Sequence, residues 1–241
     1  MTEVYWLEQT EADLPQDDAW LNPAEMQRLN ELRFAKRRDD WRLGRWTAKR
    51  AVASCLGLAE HPPALATIEI RAAASGVPEV FLASGQGPVS ISLSHSSGRS
   101  VCAIAHGIVA IGCDVEKVEP RGDAFVVDYF TDDEQALVAQ SSRADRDCLL
   151  ALLWSAKESA LKALHEGLRL DTRSAVVRPV NFDSGLKDWQ SIEVRTDDSQ
   201  VFHGWWRPAG SFVWTMVSAP PRNRPISLQL SSTQATTPPL G

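Results

Sequence analysis

The spacing of apolar positions along the chain changes repeatedly between the period of a helix and the period of a strand. A helical period runs through residues 145–165, where leucines and alanines form one stripe and charged side chains lie on the other side. Gly57 ends an earlier helix, and Asn22-Pro23 is an N-cap followed by a proline suited to the first helical turn. The pattern therefore predicts helices over 23–33, 37–56 and 145–165, a helix opened by Thr131, and β-segments over 4–7, 67–71, 79–82, 89–94, 101–105, 108–116, 174–180, 190–195, 201–207 and 212–218.

The same order, helices followed by strands, occurs twice, with the midpoint near residue 108. A chain of 241 residues is long enough for one large domain or two small ones. We therefore predict an α+β fold of two similar halves, residues 1–107 and 108–219, although no repeat at the level of single residues proves a duplication. From residue 220 onward the chain is rich in Pro, Ser and Thr, which predicts a disordered tail over 220–241.

Composition and charge exclude several classes of partner. The formal net charge is -6, which disfavours nucleic acid. No stretch approaches the roughly 18 apolar residues of a membrane-spanning helix, and the first residues lack the pattern of a signal peptide. The four cysteines show no CxxC spacing, so neither a zinc site nor a thioredoxin-like site is indicated. We expect a cytoplasmic protein that acts without nucleic acid or a membrane.

One face of the predicted helix over residues 37–56 is basic. Its cations recur at intervals of three or four residues, which places them along one stripe. Such a stripe is often only a solvated surface, but in an acidic chain it also suits phosphate groups, and both interpretations remain open. The stripe consists of Arg38, Arg42, Arg45 and Lys49.

Two carboxylates follow each other on one face of the predicted strand over residues 108–116. Strand alternation places Asp114 and Glu116 about 6.5–7 Å apart at Cα, with Gly112 beside them. Carboxylates this close repel each other unless a cation lies between them. They are either solvated acids or part of a Mg²⁺ site, and Gly112 leaves room for a bulky neighbour.

The helix over residues 145–165 carries a third carboxylate. Glu158 and Lys162 are one turn apart on the side away from the apolar stripe, which alone would indicate an exposed ion pair. Trp154 flanks the same side, however, and this favours contact with another part of the protein. Glu158 is therefore the candidate third ligand beside the two strand carboxylates, while Lys157, about 100° away, is assigned only a supporting ion pair.

Two further segments have an ordinary structural interpretation. Ser94 and His95 lie in a hydroxyl-rich turn, where a lone His is usually structural and a phosphate contact is the alternative. The surrounding sequence lacks the G-x-S-x-G pattern of a serine nucleophile. Glu134 is the third residue after Thr131 and completes a capping box.

Three segments, in this order, resemble the signature motifs of the 4′-phosphopantetheinyl transferases. The last two, at their spacing along the chain, are the most specific, whereas the Ser-His segment alone would be weak. The length, the two halves and the helix with Gly44-Arg45 resemble the larger, Sfp-type members, in which one chain forms a pseudo-two-fold pair of halves with the active site in the cleft between them. The segments are Ser92–Ser96 (SLSHS), Ile111–Glu116 (IGCDVE) and Trp154–Lys162 (WSAKESALK).

The resemblance implies transfer of the 4′-phosphopantetheine arm of coenzyme A to a serine of an apo carrier protein, which releases adenosine 3′,5′-bisphosphate. It implies that Asp114, Glu116 and Glu158 hold Mg²⁺, or Mn²⁺ in its place, against the pyrophosphate. Lys162 would contact the released phosphate. Glu158, Glu134 and a metal-bound water remain alternatives for the base, Glu134 because it matches an acidic position of the family. The coenzyme A phosphates would be held by Arg45, Lys49, Ser94, His95 and Lys162.

By the same resemblance, residues 1–107 bind the nucleotide and residues 108–219 carry the metal and catalytic groups. The chain is expected to be a monomeric holo-[acyl-carrier-protein] synthase, whose acyl or peptidyl carrier belongs to fatty-acid, polyketide or nonribosomal-peptide synthesis. Val77 stands between Gly76 and Pro78 where the family usually has Lys or Arg, which puts a charged contact with the nucleotide in doubt. A homologue that binds coenzyme A without catalysis is the alternative function.

Overall fold

The first half of the chain forms one strand, then helices and then a run of strands, much as the apolar pattern predicts. The computed structural model describes residues 3–165, 170–179, 181–197 and 199–230. Asn22 caps the first long helix through a capping box with Glu25, and Gly57 ends the second in the left-handed conformation, with φ of 64°. The elements are β1 (Val4–Thr10), α1 (Pro23–Glu31), α2 (Ala35–Leu56), α3 (Pro62–Leu65), β2 (Glu69–Ala72), β3 (Pro78–Leu82), β4 (Gly85–Gln86), β5 (Val89–Ser96) and β6 (Arg99–His106).

The second half repeats the order of helices before strands. Two short helices precede the long amphipathic one, and four antiparallel strands follow it. The sequence did not predict the short elements α3, α4, β4 and β12. The elements are β7 (Ala110–Lys117), α4 (Asp123–Tyr129), α5 (Asp132–Gln140), α6 (Arg146–Ala163), β8 (Ala175–Pro179), β9 (Gln190–Thr196), β10 (Val201–Ala209), β11 (Phe212–Ala219) and β12 (Ile226–Ser227).

Two larger sheets form the framework of the protein. The first has the strand order β12-β1-β6-β5, the second has the order β7-β11-β10-β9-β8, and β2-β3-β4 form a small third sheet. Helix α2 shares a core with the first sheet and helix α6 shares a core with the second. The mixed α+β architecture agrees with the predicted class, and the pseudo-two-fold relation of the halves stays a prediction. None of the helices within the described ranges combines the length and apolar character that crossing a membrane requires.

A third core lies between the two larger sheets. Its aromatic centre is Trp6, Trp189 and Trp214, with Trp6 4.8 Å from Trp214 between ring centroids. The guanidinium of Arg207 lies over these rings, 4.4 Å from the centroid of Trp214. The two sheets are therefore joined by a continuous buried layer.

Alternate serines of β5 join the edges of the two sheets. The hydroxyl of Ser92 accepts a hydrogen bond from the backbone N–H of Cys113 at 3.0 Å. Two residues further on, the hydroxyl of Ser94 donates to Oδ1 of Asp114 at 2.6 Å. Successive side chains of a strand point to opposite faces, so alternate residues share one face. The Ser-His segment therefore lies directly against the strand that carries the acidic residues.

The prediction of a disordered tail over residues 220–241 is wrong for its first part. Ile226 and Ser227 form β12, which pairs in parallel with Tyr5 and Trp6 of β1. Leu228 packs against the core of the first half, and its N–H donates to the carbonyl of Trp6 at 2.9 Å. A few apolar residues within a Pro- and Ser-rich segment are enough to dock it. Residues 231–241 lie outside the described residues.

Candidate active site

The position of α6 on its sheet depends on small residues and hydroxyl groups. Ser155 and Ser159 are within 2.8 and 2.7 Å of the hydroxyl of Thr215, which is the register partner of Asp114 on β11. A Cβ at Gly112 would collide with the carbonyl oxygen of Ser159. Gly112 therefore admits a bulky neighbour, as predicted, and this neighbour is the backbone of α6. The close approach brings the charged side of the helix to the strand carboxylates.

Asp114 is the centre of the resulting cluster. Its Oδ1 accepts hydrogen bonds from Ser94 and from Nζ of Lys162, the latter at 2.8 Å. Lys162 also donates to the carbonyl of Cys113 at 3.1 Å. Burial is the largest single effect and disfavours the charged ammonium, but the interactions with Asp114, Cys113 and Glu158 together outweigh it and raise the pKa of Lys162. Lys162 is thus held as a cation beside Asp114.

The negative charge of Asp114 acts on two neighbouring carboxylates, those of Glu116 and Glu158. Burial, followed by the charge of Asp114, raises the pKa of Glu116 to about 7. The same two causes raise the pKa of Glu158. The oxygens of Glu116 accept hydrogen bonds from Arg121 at 3.0 Å and from the indole of Trp154 at 3.2 Å. The predicted contact of the Trp154 side of α6 with another element is therefore present, and it is with β7.

Two carboxylate oxygens in this cluster suit a cation. Oδ2 of Asp114 and Oε1 of Glu158 are buried and have no hydrogen-bond partner among the described residues. A buried carboxylate oxygen without a partner is unfavourable, and a divalent cation with oxygen ligands satisfies it. The described part of the chain contains no group of three His, Cys, Asp or Glu side chains already arranged around a metal position, and Glu116 is engaged by Arg121 and Trp154. The donor set fits Mg²⁺ through Asp114 and Glu158.

A cavity of about 390 Å³ opens beside this cluster and is lined by both halves of the chain. Five cationic or imidazole side chains of the two halves line it: Arg45, Arg71, His95, Lys162 and His165. Arg45 lies with its guanidinium 5.0 Å from the ring centroid of Trp41, and burial lowers its pKa. A cavity of this size with several cationic side chains suits a ligand with several phosphate groups.

The basic stripe predicted on α2 does not form a phosphate-binding face. Lys49 is fully buried and pairs with Glu25 at 2.5 Å, so its predicted contact with coenzyme A is wrong. Arg42 pairs with Asp18. A helical stripe predicts only which face of the helix a side chain lies on. Here the segment before α1 packs over part of that face and contacts Arg42 and Lys49. Arg45 is the stripe residue that lines the cavity.

Glu134 lies in a second buried ion pair. It contacts Nζ of Lys157 at 2.8 Å, and both side chains are at most 1% exposed. Its other contacts are the N–H groups of Thr131 at 2.9 Å and Val177 at 2.8 Å. These contacts favour the capping-box interpretation over a role as base, because both oxygens are occupied by structural partners. They also give Lys157 the supporting ion pair that was predicted for it.

The two candidate residues of the Ser-His segment, Ser94 and His95, have different surroundings. Ser94 gives its hydroxyl to Asp114, which orients that carboxylate, and it is not among the residues that line the cavity. His95 is exposed and lines the cavity, where a phosphate contact is available to it. Val77 also lines the cavity and brings no charge.

Sequence reasoning missed several residues of the site. Arg71 lines the cavity from β2, opposite Glu79 of β3, and His165 lines it just beyond the end of α6. Arg121 and Thr215 hold Glu116 and α6 in place. The pairing of the two β-segments around Gly76 was the available signal for Arg71, whereas nothing local identified Thr215.

Comparison with known families agrees with this geometry. The family model described as the 4′-phosphopantetheinyl transferase superfamily matches residues 110–228. This region begins with β7 and includes α6, so it holds Asp114, Glu116, Glu158 and Lys162. A search of curated proteins found no significant match. The match supports the superfamily and, with it, a transferase that moves a phosphopantetheinyl group.

Proposed function

We propose that this protein transfers 4′-phosphopantetheine from coenzyme A to a serine hydroxyl of an apo carrier protein in a Mg²⁺-dependent reaction. The observation that carries the proposal is the cluster of Asp114, Glu116, Glu158 and Lys162 beside a cationic cleft. Within the superfamily matched by residues 110–228, this arrangement suits a pyrophosphate donor. The pseudo-two-fold, single-chain subclass is part of the same proposal.

The carboxylates have separate tasks in this proposal. Asp114 and Glu158 would hold the metal through the oxygens that lack partners, and Glu116 would join them by exchanging a present partner. Bound there, the metal supplies neutralisation of the charge that develops on the pyrophosphate oxygens. Ser94 keeps Asp114 in position. Burial, followed by the charge of Asp114, raises the pKa values of Glu116 and Glu158, and a divalent cation bound between these carboxylates would lower both.

Cations of the cleft would bind the phosphate groups of coenzyme A. Lys162, which contacts Asp114, would stabilise the charge that develops on the leaving bisphosphate. His95 and Arg45 face the same cavity and suit the phosphates of the nucleotide. These contacts fix the donor so that its phosphorus atom faces the acidic cluster.

Glu158 is the base that the side-chain contacts favour. A carboxylate with a raised pKa is a better proton acceptor near neutral pH than an ordinary one. With Oε1 of Glu158 as the metal ligand, its other carboxylate oxygen would take the proton, whereas both oxygens of Glu134 are engaged by Lys157 and backbone N–H groups. Glu158 would accept the proton of the carrier serine as that oxygen attacks phosphorus.

Mass spectrometry of carrier domains tests the proposal. The purified protein, with Mg²⁺ and coenzyme A, should add one phosphopantetheine mass to the serine of an apo carrier. A panel of fatty-acid, polyketide and nonribosomal-peptide carriers identifies the pathway served. No mass gain on any carrier, with coenzyme A binding retained in calorimetry, would contradict transfer and leave the non-catalytic alternative. A carrier whose serine is replaced by alanine is the matched control.

A further inference from the structure

Two cavities meet at the end of the helix that carries Glu158 and Lys162. The second cavity, of about 420 Å³, shares Val77 and Pro78 with the lining of the first. Both cavities are lined by the same five residues, Val77, Pro78, Ile91, Ile111 and His165. Of these described residues shared by both cavities, His165 is the one with a polar side chain. A ligand that extends from one cavity into the other passes this imidazole.

The backbone of His165 is held in an unfavourable conformation. Its φ is 64°, in the left-handed region that residues other than glycine rarely adopt. The N–H of His165 donates to the carbonyl of Lys162 at 3.1 Å, which fixes the turn one residue after the C-cap of α6. Non-glycine residues in such conformations occur disproportionately at ligand sites, where the neighbouring structure maintains them. Glycine would adopt this backbone conformation more easily, so the presence of histidine here indicates a role for its side chain.

We propose that His165 is a binding residue for the donor substrate and donates an N–H to a phosphate oxygen where the two cavities meet. This inference rests on the proposed function, because coenzyme A is the donor. Lys162 lies three residues earlier along the same helix and is anchored on Asp114. His165 therefore extends the line of phosphate-binding groups away from the acidic cluster, along a wall where Val77 contributes no charge.

The test compares His165→Gly and His165→Asn with the unsubstituted protein. Calorimetry gives the Kd for coenzyme A and for adenosine 3′,5′-bisphosphate, the transfer assay gives both KM values, and thermal unfolding gives Tm. His165→Gly should raise the Kd for both ligands and the KM for coenzyme A about three- to tenfold. The KM for the carrier should not change, and Tm should not fall, because glycine accepts this backbone conformation. Asparagine tolerates the same backbone conformation and retains an N–H donor. The Kd and KM for coenzyme A of His165→Asn should therefore lie between those of the unsubstituted protein and those of His165→Gly.

Ser199→Gly is the matched control. Ser199 has a φ of 67° in the turn between β9 and β10 and lines neither cavity. Its substitution by glycine therefore relieves a similar backbone strain without affecting the binding site of coenzyme A. It should leave the Kd for coenzyme A unchanged.

Three results would overturn the inference. The first is a wild-type Kd in His165→Gly while the unsubstituted protein transfers normally, which would leave the proposed function intact. The second is a weaker Kd accompanied by a lower Tm and a higher carrier KM, which would make the residue structural. Failure of the unsubstituted protein both to bind coenzyme A and to modify any carrier would remove this inference together with the proposed function.

Discussion

The two halves of the chain contain the same buried ion pair in the same setting. In the first half Lys49 of α2 pairs with Glu25, and in the second half Lys157 of α6 pairs with Glu134. Each glutamate is the capping-box residue of the preceding helix, and each accepts an N–H from a following strand, that of Ile70 or Val177. Each lysine also donates to two backbone carbonyls. The shared device fixes a long helix to the helix before it and to the next strand.

The halves differ one residue further along each long helix. When Lys49 is aligned with Lys157, Trp46 matches Trp154 and Ala48 matches Ala156. Glu158 and Lys162 then align with Arg50 and Ser54. Arg50 pairs with Glu60, and Ser54 donates to the carbonyl of Gln229, so both have structural partners. The comparison teaches that a common framework holds both helices while the candidate chemistry belongs to one, and it supports the pseudo-two-fold relation.

The largest effect is expected from breaking either buried pair. Lys49→Met and Lys157→Met should each lower the free energy of unfolding by about 3–5 kcal/mol, because each leaves a buried glutamate without its cation. Urea unfolding followed by circular dichroism measures this. Markedly unequal losses would contradict the equivalence of the two pairs.

Glu134→Gln and Glu25→Gln extend that test to catalysis. Both should destabilise the protein and leave kcat unchanged per folded molecule. A large loss of kcat for Glu134→Gln alone would restore Glu134 as a candidate base.

The second effect concerns the positions where the halves differ. Glu158→Gln should lower kcat/KM for carrier modification by about 10²–10³-fold, because it removes charge that is directed at the reacting groups. Arg50→Gln, its counterpart in the first half, should leave kcat unchanged despite some loss of stability. Initial rates from carrier mass spectra measure both. Retained activity in Glu158→Gln, with an unaltered circular dichroism spectrum, would remove Glu158 from the site.

The smallest effect is a pH dependence that originates in the acidic cluster. The pKa of Glu116 is about 7 in the folded protein, above its ordinary value of 4.5, so the folded state retains a proton that the unfolded chain releases. Without metal, the contribution of Glu116 to stability is therefore full below about pH 4.5 and is lost as pH rises to about 7. Between about pH 4.5 and 7, the Tm of Glu116→Gln should therefore fall less than the Tm of the unsubstituted protein. Mg²⁺ should raise Tm more at pH 8 than at pH 5, and an equal rise at both would argue against these carboxylates as its ligands.

Local sequence signals predicted most of the elements. The cap at Asn22, the glycine at position 57 and the alternation in β7 each specify backbone conformation over a few residues, and each is present in the structure. Part of the candidate cluster was predictable for a related reason. Glu158 and Lys162 are four residues apart on one helix, so they are neighbours however that helix packs against the rest of the protein.

What could not be predicted depends on contacts between distant segments. Lys49 and Arg45 belong to the same basic stripe, and only the packing of the preceding segment decides that one is buried and the other faces the cavity. Glu134 fits a capping box and a catalytic position equally well until Lys157 is placed beside it. The matching Trp, Ala and Lys of α2 and α6 were visible in the sequence, but their meaning is clear only from the two buried pairs.

The short strand β12 has a consequence for how the protein is made. It occupies the outer edge of the first sheet, beside β1, although it is encoded after the whole of the second half. During synthesis, that edge of β1 stays uncovered until residues 226 and 227 have left the ribosome. Uncovered strand edges are templates for pairing with other chains, so nascent or shortened molecules carry an aggregation hazard that β12 reduces in the finished protein by covering Tyr5 and Trp6.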